Sequence, residues 1–183
     1  MPYARVLMPS NSHYSNAKGT LRKVFTDHAV YTKFLITDII EALPNLNVDL
    51  DRLMKNQEEI GHLASLSVGL EKGAIIIDSL KEHVRLAGES VKAIKAGDIA
   101  KINSANTLFL DNAMAIGRFL SSLNPEKLPL AKTIDAFKKH AQYVIDIANA
   151  QKNRNLNDVV TLYDSYYGHM LSISDALYEA LFS

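Results

Sequence analysis

Apolar residues recur along most of the chain at the three- and four-residue spacing of an amphipathic helix, and no stretch alternates with the period of a strand. Prolines and most glycines fall where this spacing breaks. The pattern predicts helices over about residues 16–43, 47–69, 71–95, 98–123, 126–150 and 156–182, after an extended arm at residues 1–15. Because the links are short, consecutive helices must run antiparallel. We therefore expect an all-α, antiparallel, up-and-down bundle of about six helices, forming one domain over residues 16–183 without an internal repeat.

Polar residues interrupt the apolar stripe that each predicted helix turns toward the core. At 100° per residue, His28 and His83 fall inside their stripes, whereas His140 and His169 fall at the edges. All four lie near the middle of their helices, and the mid-heights of an up-and-down bundle coincide. We therefore expect one polar layer across the core. Its predicted hydrogen-bonding neighbours are Gln57, Asn112, Tyr163 and Tyr167.

Two interpretations of this layer stay open. Neutral imidazoles from several helices suit a transition metal in a bundle core, so the four histidines are candidate ligands for zinc, iron or manganese, or partners for a small ligand. Alternatively, the histidines only hydrogen-bond to the amides and fix the register of the helices, without any cofactor. The first interpretation predicts a binding protein, and the second predicts a structural or assembly protein.

Sequence motifs for enzymatic chemistry are largely missing. The chain has no phosphate-binding loop, dinucleotide-binding glycine motif, nucleophile elbow or zinc-protease helix. Glu59 and His62 have the spacing of a di-iron carboxylate helix, but His62 points outward and we expect no other helix to bury a carboxylate. A catalytic metal would need an acid or a base beside it. The sequence therefore leans away from an enzyme.

Composition narrows the choice of partner and compartment. The 183 residues include 20 basic and 20 acidic ones, so no net field attracts nucleic acid or an anionic membrane. Without cysteine, thiolate ligands and disulfides are excluded. No apolar run approaches the ~20 residues that span a bilayer, and residues 1–15 lack the apolar core of a signal peptide. We expect a cytoplasmic protein that binds neither nucleic acid nor membrane, with homo-oligomerisation or an assembly partner left open.

Several short segments with compatible spacing suggest a relationship to other proteins. The segments are residues 21–23, 28–33, 56–61, 80–83, 112–113, 119–122 and 163–164, together with His140 and His169. They resemble a family of small, uncharacterised bacterial helical-bundle proteins, some of which are labelled glycosyltransferases without an evident basis. The resemblance implies no established activity, but it does imply a shared site at His28, His83 and His140.

The sequence departs from the family pattern at two positions. Met114 stands where relatives tend to have an acidic residue, and Tyr167 stands where some have a histidine. Both departures remove a side chain that can bind a metal. The resemblance therefore supports the histidine layer more strongly than it supports a metal in that layer.

Overall fold

A computed structural model describes residues 16–183, which form six α-helices and no strand. The helices are α1 (Ala17–Glu41), α2 (Leu46–Val68), α3 (Leu70–Ala96), α4 (Ile99–Leu123), α5 (Leu130–Lys152) and α6 (Leu156–Leu181). The prediction of an all-α fold is confirmed. The predicted arm at residues 1–15 lies outside the described residues. Within residues 16–183, no helix combines the length and the apolar character needed to cross a membrane.

The helices form a closed ring in the order of the chain. Each helix packs against the next, and α6 returns to α1, where Arg22 pairs with Asp175 at 3.1 Å. Helices α1, α3 and α5 also contact one another. Each of these three buries many more residues than any of α2, α4 and α6. The predicted up-and-down bundle therefore has an inner layer of three parallel helices and an outer layer of three helices that run the opposite way.

The three helical hairpins α1–α2, α3–α4 and α5–α6 are structural repeats, contrary to the expectation from the sequence. The inner helices align on His28, His83 and His140. Besides the histidines, the positions that are buried in all three inner helices are Leu21/Ile76/Thr133, Ala29/Val84/Ala141, Thr32/Ala87/Val144, Leu35/Ser90/Ile147, Ile36/Val91/Ala148, Asp38/Ala93/Ala150 and Ile39/Ile94/Gln151. Positions that are buried in all three outer helices are Leu53/Phe109/Tyr166, Gln57/Ala113/Met170, Ile60/Ile116/Ile173, Gly61/Gly117/Ser174 and Ala64/Leu120/Leu177. The equivalent positions share burial far more than residue identity, so a comparison of the amino-acid sequence with itself does not detect the repeat.

Glycines allow two pairs of helices to approach closely. A Cβ atom on Gly73 of α3 would lie 3.2 Å from the Gly61 carbonyl oxygen of α2, and one on Gly117 of α4 would lie 3.0 Å from the Ile134 Cα of α5. The link between α2 and α3 is Gly69 itself, whose φ of 87° favours glycine. Close packing at these points holds the outer helices against the inner layer.

Three details of the sequence analysis need correction. Helix α1 ends at Glu41, before the predicted residue 43, and α2 begins at Leu46, before the predicted cap at residue 47. Helix α5 begins at Leu130 and not near residue 126. Before it, the Lys127 backbone N–H donates to Asn124 Oδ1 at 3.2 Å in a turn, and Pro129 disfavours a helical conformation for the residue before it.

A carboxylate is buried, although none was expected. Asp38 of α1 is only 2% exposed, and Asn45 Nδ2 donates to its Oδ1 at 3.3 Å. Burial raises the pKa of Asp38, and Asp49 raises it further. Asp38 lies ten residues beyond His28 on the same helix, about 15 Å along the axis at 1.5 Å per residue. This carboxylate therefore belongs to the far end of the bundle and not to the histidine layer.

Candidate functional site

One histidine from each inner helix lies in the centre of the bundle. His28, His83 and His140 are 5%, 3% and 4% exposed. The ring of His140 packs against both of the others, with centroid distances of 5.5 Å to His28 and 5.3 Å to His83. The three histidines come together because the repeat places them at equivalent positions on three parallel helices that face one axis.

The ring of His28 is held by amides of α2. Gln57 Nε2 lies 3.2 Å from His28 Nδ1 and also donates to the Leu53 carbonyl oxygen at 2.7 Å. A carbonyl oxygen only accepts, so this second bond fixes which end of the Gln57 amide faces it. The neighbouring Asn56 Nδ2 donates to the Val24 carbonyl oxygen of α1 at 2.9 Å. Gln57 and Asn56 of α2 therefore hold the His28 ring against α1.

The ring of His83 is held by a hydrogen bond to Asn112 of α4, in which the ring nitrogen is the donor. His83 Nδ1 lies 2.7 Å from Asn112 Oδ1, which can only accept a hydrogen bond. The proton of neutral His83 is therefore on Nδ1, and Nε2 carries a lone pair. Among the described residues, this buried Nε2 atom has no hydrogen-bond partner. Phe109 packs against the ring with a centroid distance of 4.6 Å.

The ring of His140 has apolar and aromatic surroundings. Tyr166 of α6 packs against it with a centroid distance of 5.4 Å, and no group in residues 16–183 hydrogen-bonds to its buried Nδ1 atom. Tyr166 is fully buried, and burial raises the pKa of its hydroxyl well above the usual value. Tyr166, Met170, Ile173 and Leu177 recur at helical spacing, so the sequence contains the signal that places Tyr166 in the core.

Burial keeps all three histidines neutral near physiological pH. It lowers the pKa of His28 to about 4, with a smaller contribution from His83. It also lowers the pKa of His83 to about 4. The pKa of His140 lies well below its usual value, first because of burial and then because of His83 and His28. Neutral imidazoles can bind a metal through a lone pair or hydrogen-bond to an uncharged ligand.

A cavity of about 50 Å³ adjoins the three histidines. On three helices its lining runs over two helical turns, about 10 Å along the axis: from His28 to Leu21, from Gln57 to Ala64 and from His83 to Ile76. Apart from Ser79, its polar lining residues are the three histidines and Gln57 at the inner end. The remaining lining residues are apolar and reach Leu181, near the end of α6. The wall of the cavity is therefore almost wholly apolar, and the histidines and Gln57 lie at its inner end.

The fourth predicted histidine lies apart from the other three. His169 is half-buried on α6, and its Nε2 lies 2.8 Å from the Ala136 carbonyl oxygen of α5. Its position in the repeat is that of Asn56, which bonds to the equivalent carbonyl of α1. His169 therefore holds α6 against α5. It is not among the residues that line the cavity.

Of the four residues predicted to hydrogen-bond to the histidine layer, two contact the histidines and two lie elsewhere. Gln57 and Asn112 hold His28 and His83, as described. Tyr163 and Tyr167 lie half-buried on α6, with ring centroids 6.4 Å apart. The Tyr167 hydroxyl lies 3.3 Å from Thr26 Oγ1 of α1. These two tyrosines contribute to the contacts of α6 and do not line the cavity.

Within residues 16–183, no group of three or more histidine, aspartate or glutamate side chains is arranged so that it could hold a metal ion. Compared with known proteins, the chain matches no family model, no curated protein and no solved structure. The class that can be assigned is therefore an all-α bundle of three repeated hairpins with a buried histidine cluster beside an apolar cavity. The family resemblance suggested by the sequence stays a prediction.

Proposed function

We propose that the protein binds a small ligand in its core, with His28, His83, His140 and Gln57 at the ligand's polar end. One observation carries this proposal. His83 Nε2, His140 Nδ1 and Gln57 Oε1 are buried, belong to residues that line the cavity, and have no partner among the described residues. Leaving a buried polar atom unpaired costs about 1–3 kcal/mol, so three of them on residues that line one cavity favour an occupant that completes their hydrogen bonds after a small rotation of these side chains toward the cavity.

The structural interpretation accounts less well for these atoms. A polar layer that only fixes the register of the helices should satisfy its own hydrogen bonds, as buried polar groups in proteins generally do. Here the amides satisfy one nitrogen of His28 and one of His83, and they leave the other groups open. Ordered water could fill the space, since a cavity above about 10–15 Å³ holds a water molecule. The experiment must therefore separate a ligand from water.

A transition metal is the second candidate for the occupant. It is favoured by His83, because a histidine that ligates a metal through Nε2 usually donates its other N–H to an oxygen, as His83 does to Asn112. It is disfavoured because the three histidines would have to move to act together. Zinc, iron and manganese are therefore tested beside the organic probes.

The deciding experiment blocks the cavity with a residue that the repeat already uses. Ala64 lines the cavity, and the equivalent outer positions carry Leu120 and Leu177. We expect ethanol and dimethyl ether, which suit a cavity of about 50 Å³, to shift the amide NMR signals around the cavity in the wild type and not in Ala64→Leu. We expect the variant to fold and to lose at most about 1–3 kcal/mol of stability, the usual cost of added core atoms, which thermal unfolding measures.

The metal is tested on the same untagged protein. Elemental analysis is followed by addition of zinc, iron or manganese, with thermal unfolding and the histidine NMR signals as readouts. Stoichiometric metal that is lost in both His28→Leu and His83→Leu would favour the second candidate. If neither organic probe nor any metal binds, the cavity holds only water and the proposed binding function is wrong.

A further inference from the structure

The face of α4 that points to solvent carries fewer charges than the matching faces of α2 and α6. Between Ile102 and Leu123, the only charged residues are Asp111 and Arg118, and both are exposed. The rest of this exposed face consists of Asn103, Ser104, Thr107, Leu108, Ala115 and Ser122. Because the three outer helices occupy equivalent places in the repeat, this difference belongs to the sequence of α4 and not to its position in the bundle.

The charges on the matching faces of the other outer helices pair within the chain. On α2, Arg52 pairs with Glu59 at 3.3 Å, and on α6, Asp175 pairs with an arginine of α1 at 3.1 Å. Asp111 and Arg118 of α4 make neither an ion pair nor a side-chain hydrogen bond within residues 16–183. They are two helical turns apart, about 10 Å along the axis, which is too far for them to pair with each other.

The two charges of α4 complement a second copy of the same helix. Asp111 and Arg118 lie on one stripe, because seven residues return to nearly the same side of a helix. If a second α4 packs antiparallel on this stripe about a two-fold axis midway between them, each Asp111 lies opposite Arg118 of the other copy. Two pairs of opposite charge then form across the contact. A parallel arrangement in register would instead bring like charges together.

An exposed leucine on the same face fits this arrangement. Leu108 is 55% exposed and lies on the side of α4 that faces α3, where it lines a surface groove with Arg85. In the antiparallel arrangement, the same side of the second copy presents Phe119 and Ser122 at the height of Leu108. Ala115 lies beside the two-fold axis and is small enough to let the helices approach to the usual distance of about 8–10 Å.

We propose that the protein forms a two-fold symmetric homodimer in which α4 packs antiparallel against α4 of a second copy. Asp111 pairs with Arg118 of the partner subunit, and Leu108 is covered by the partner subunit. The contact uses the exposed face of α4 and is therefore independent of any ligand in the core. Because each copy contributes mainly one helix, the interface is small, and we expect a dissociation constant on the order of 10 μM.

Sedimentation equilibrium of the full, untagged chain tests the charge pairs. Arg118→Asp should raise the dissociation constant of the dimer at least about tenfold, because each dimer then contains two like-charge contacts. Asp111→Arg should do the same. The double variant Asp111→Arg/Arg118→Asp should restore the dimer, since the same pairs form with their charges exchanged. These side chains are exposed, so the variants should fold, which circular dichroism checks.

The matched control makes the same change of charge on another outer helix. Lys55 is exposed and occupies the position of α2 that is equivalent to Asp111 of α4. Lys55→Asp alters the net charge as much as Arg118→Asp does, but it leaves the face of α4 intact. It should therefore change the dissociation constant by less than about twofold.

A cross-link reports the position of the two-fold axis independently. The chain has no cysteine, so an introduced cysteine can pair only with its own copy. Ala115→Cys should form a disulfide between subunits under mild oxidation, because the two copies of this residue lie beside the axis. Ser104→Cys should not, since its two copies would lie about 30 Å apart along the helices and a disulfide needs Cα atoms within about 7 Å.

Four results would overturn this inference. They are a wild type that stays monomeric at about 1 mM, an unchanged dissociation constant in Arg118→Asp, no recovery in the double variant, and cross-linking of Ser104→Cys as readily as of Ala115→Cys. None of these results bears on the proposed binding function, because the cavity lies within each copy of the bundle.

Discussion

The second and third hairpins place a histidine at the same point of the bundle but hold it differently. In the second hairpin, Asn112 of α4 accepts the hydrogen bond from His83 Nδ1. In the third, the equivalent residue is His169, which reaches the Ala136 carbonyl instead, and His140 Nδ1 is left without a partner among the described residues. The repeat thus fixes where each inner histidine lies. One residue on the outer helix decides whether the Nδ1 atom of the histidine has a hydrogen-bond partner.

The largest effect that we expect is a loss of stability in mild acid. The inner histidines have folded-state pKa values of about 4 for His28 and His83, and one well below the usual value for His140, whereas unfolded histidine has a pKa of about 6.5. Below pH ~6.5 the unfolded chain binds more protons than the folded one. The free energy of unfolding therefore has its full value above this pH and decreases as the pH is lowered toward the folded-state pKa values.

The expected slope is about 1.4 kcal/mol per pH unit for each inner histidine, or about 4 kcal/mol for the three. Urea unfolding between about pH 5 and pH 6.5 measures it, since carboxylates with lowered pKa values such as Glu41 and Glu58 stay ionised there. His83→Leu and His140→Leu should each lower the slope by about 1.4 kcal/mol per pH unit, and the remainder includes a contribution of the same sign from His169, whose pKa burial also lowers. An unchanged slope in either variant would mean that the ring is charged or hydrated in the folded protein.

The next effect concerns an outer position that the hairpins use differently. Gly117→Ala should cost about 3 kcal/mol, because the new Cβ would lie 3.0 Å from backbone atoms of α5 that cannot move aside easily. Ser174→Ala at the equivalent position of α6 is the matched control. It should change stability by less than about 1 kcal/mol, since it removes a buried hydroxyl that has no partner in the described part of the chain. Similar losses in both variants, measured by urea unfolding, would argue against equivalent packing of the hairpins.

A smaller effect is expected where the second hairpin holds its histidine. Asn112→Leu leaves the His83 Nδ1–H without its acceptor and should cost about 1–2 kcal/mol, the lower part of the range because Asn112 is half-buried. In a His83→Leu background the same substitution should cost much less, which a double-mutant cycle measures. Additive costs would show that Asn112 acts through some other contact.

The smallest effect should come from making the third hairpin resemble the other two. His169→Asn should change the free energy of unfolding by no more than about 0.5 kcal/mol, because the amide N–H can donate to the Ala136 carbonyl as Asn56 donates to the Val24 carbonyl. A loss above about 2 kcal/mol would contradict the equivalence of these residues and return His169 to the candidate site.

The sequence predicts much of the fold because helical periodicity and the positions of proline and glycine are local signals. It also places His28 and His83 in the core, since both fall inside apolar stripes. It does not predict which helices are inner, because that depends on packing between distant segments. Stripe-edge positions show the consequence: His140 and His169 look alike in the sequence, but His140 is on an inner helix and points to the axis, whereas His169 is on an outer helix.

The burial of Asp38 could not be predicted from the sequence for a different reason. Its side chain lies near the end of α1, where Asn45 of the following link supplies a hydrogen bond. Helical periodicity describes one helix at a time and contains no information on such a partner. The repeat was missed for a related reason, because positions such as Leu35, Ser90 and Ile147 share burial but not chemistry.

The closed ring also has a consequence for the order of the chain. Both links between hairpins, at Gly69 and at residues 124–129, lie at the end of the bundle where α1 begins and α6 finishes, as the 2.8 Å bond from Lys127 Nζ to the Glu179 carbonyl oxygen shows. Circular permutation should therefore be tolerated. With Ser183 joined to the N-terminal segment and new termini at Gly69, around which no atom would meet an added Cβ, every hairpin keeps both of its neighbours.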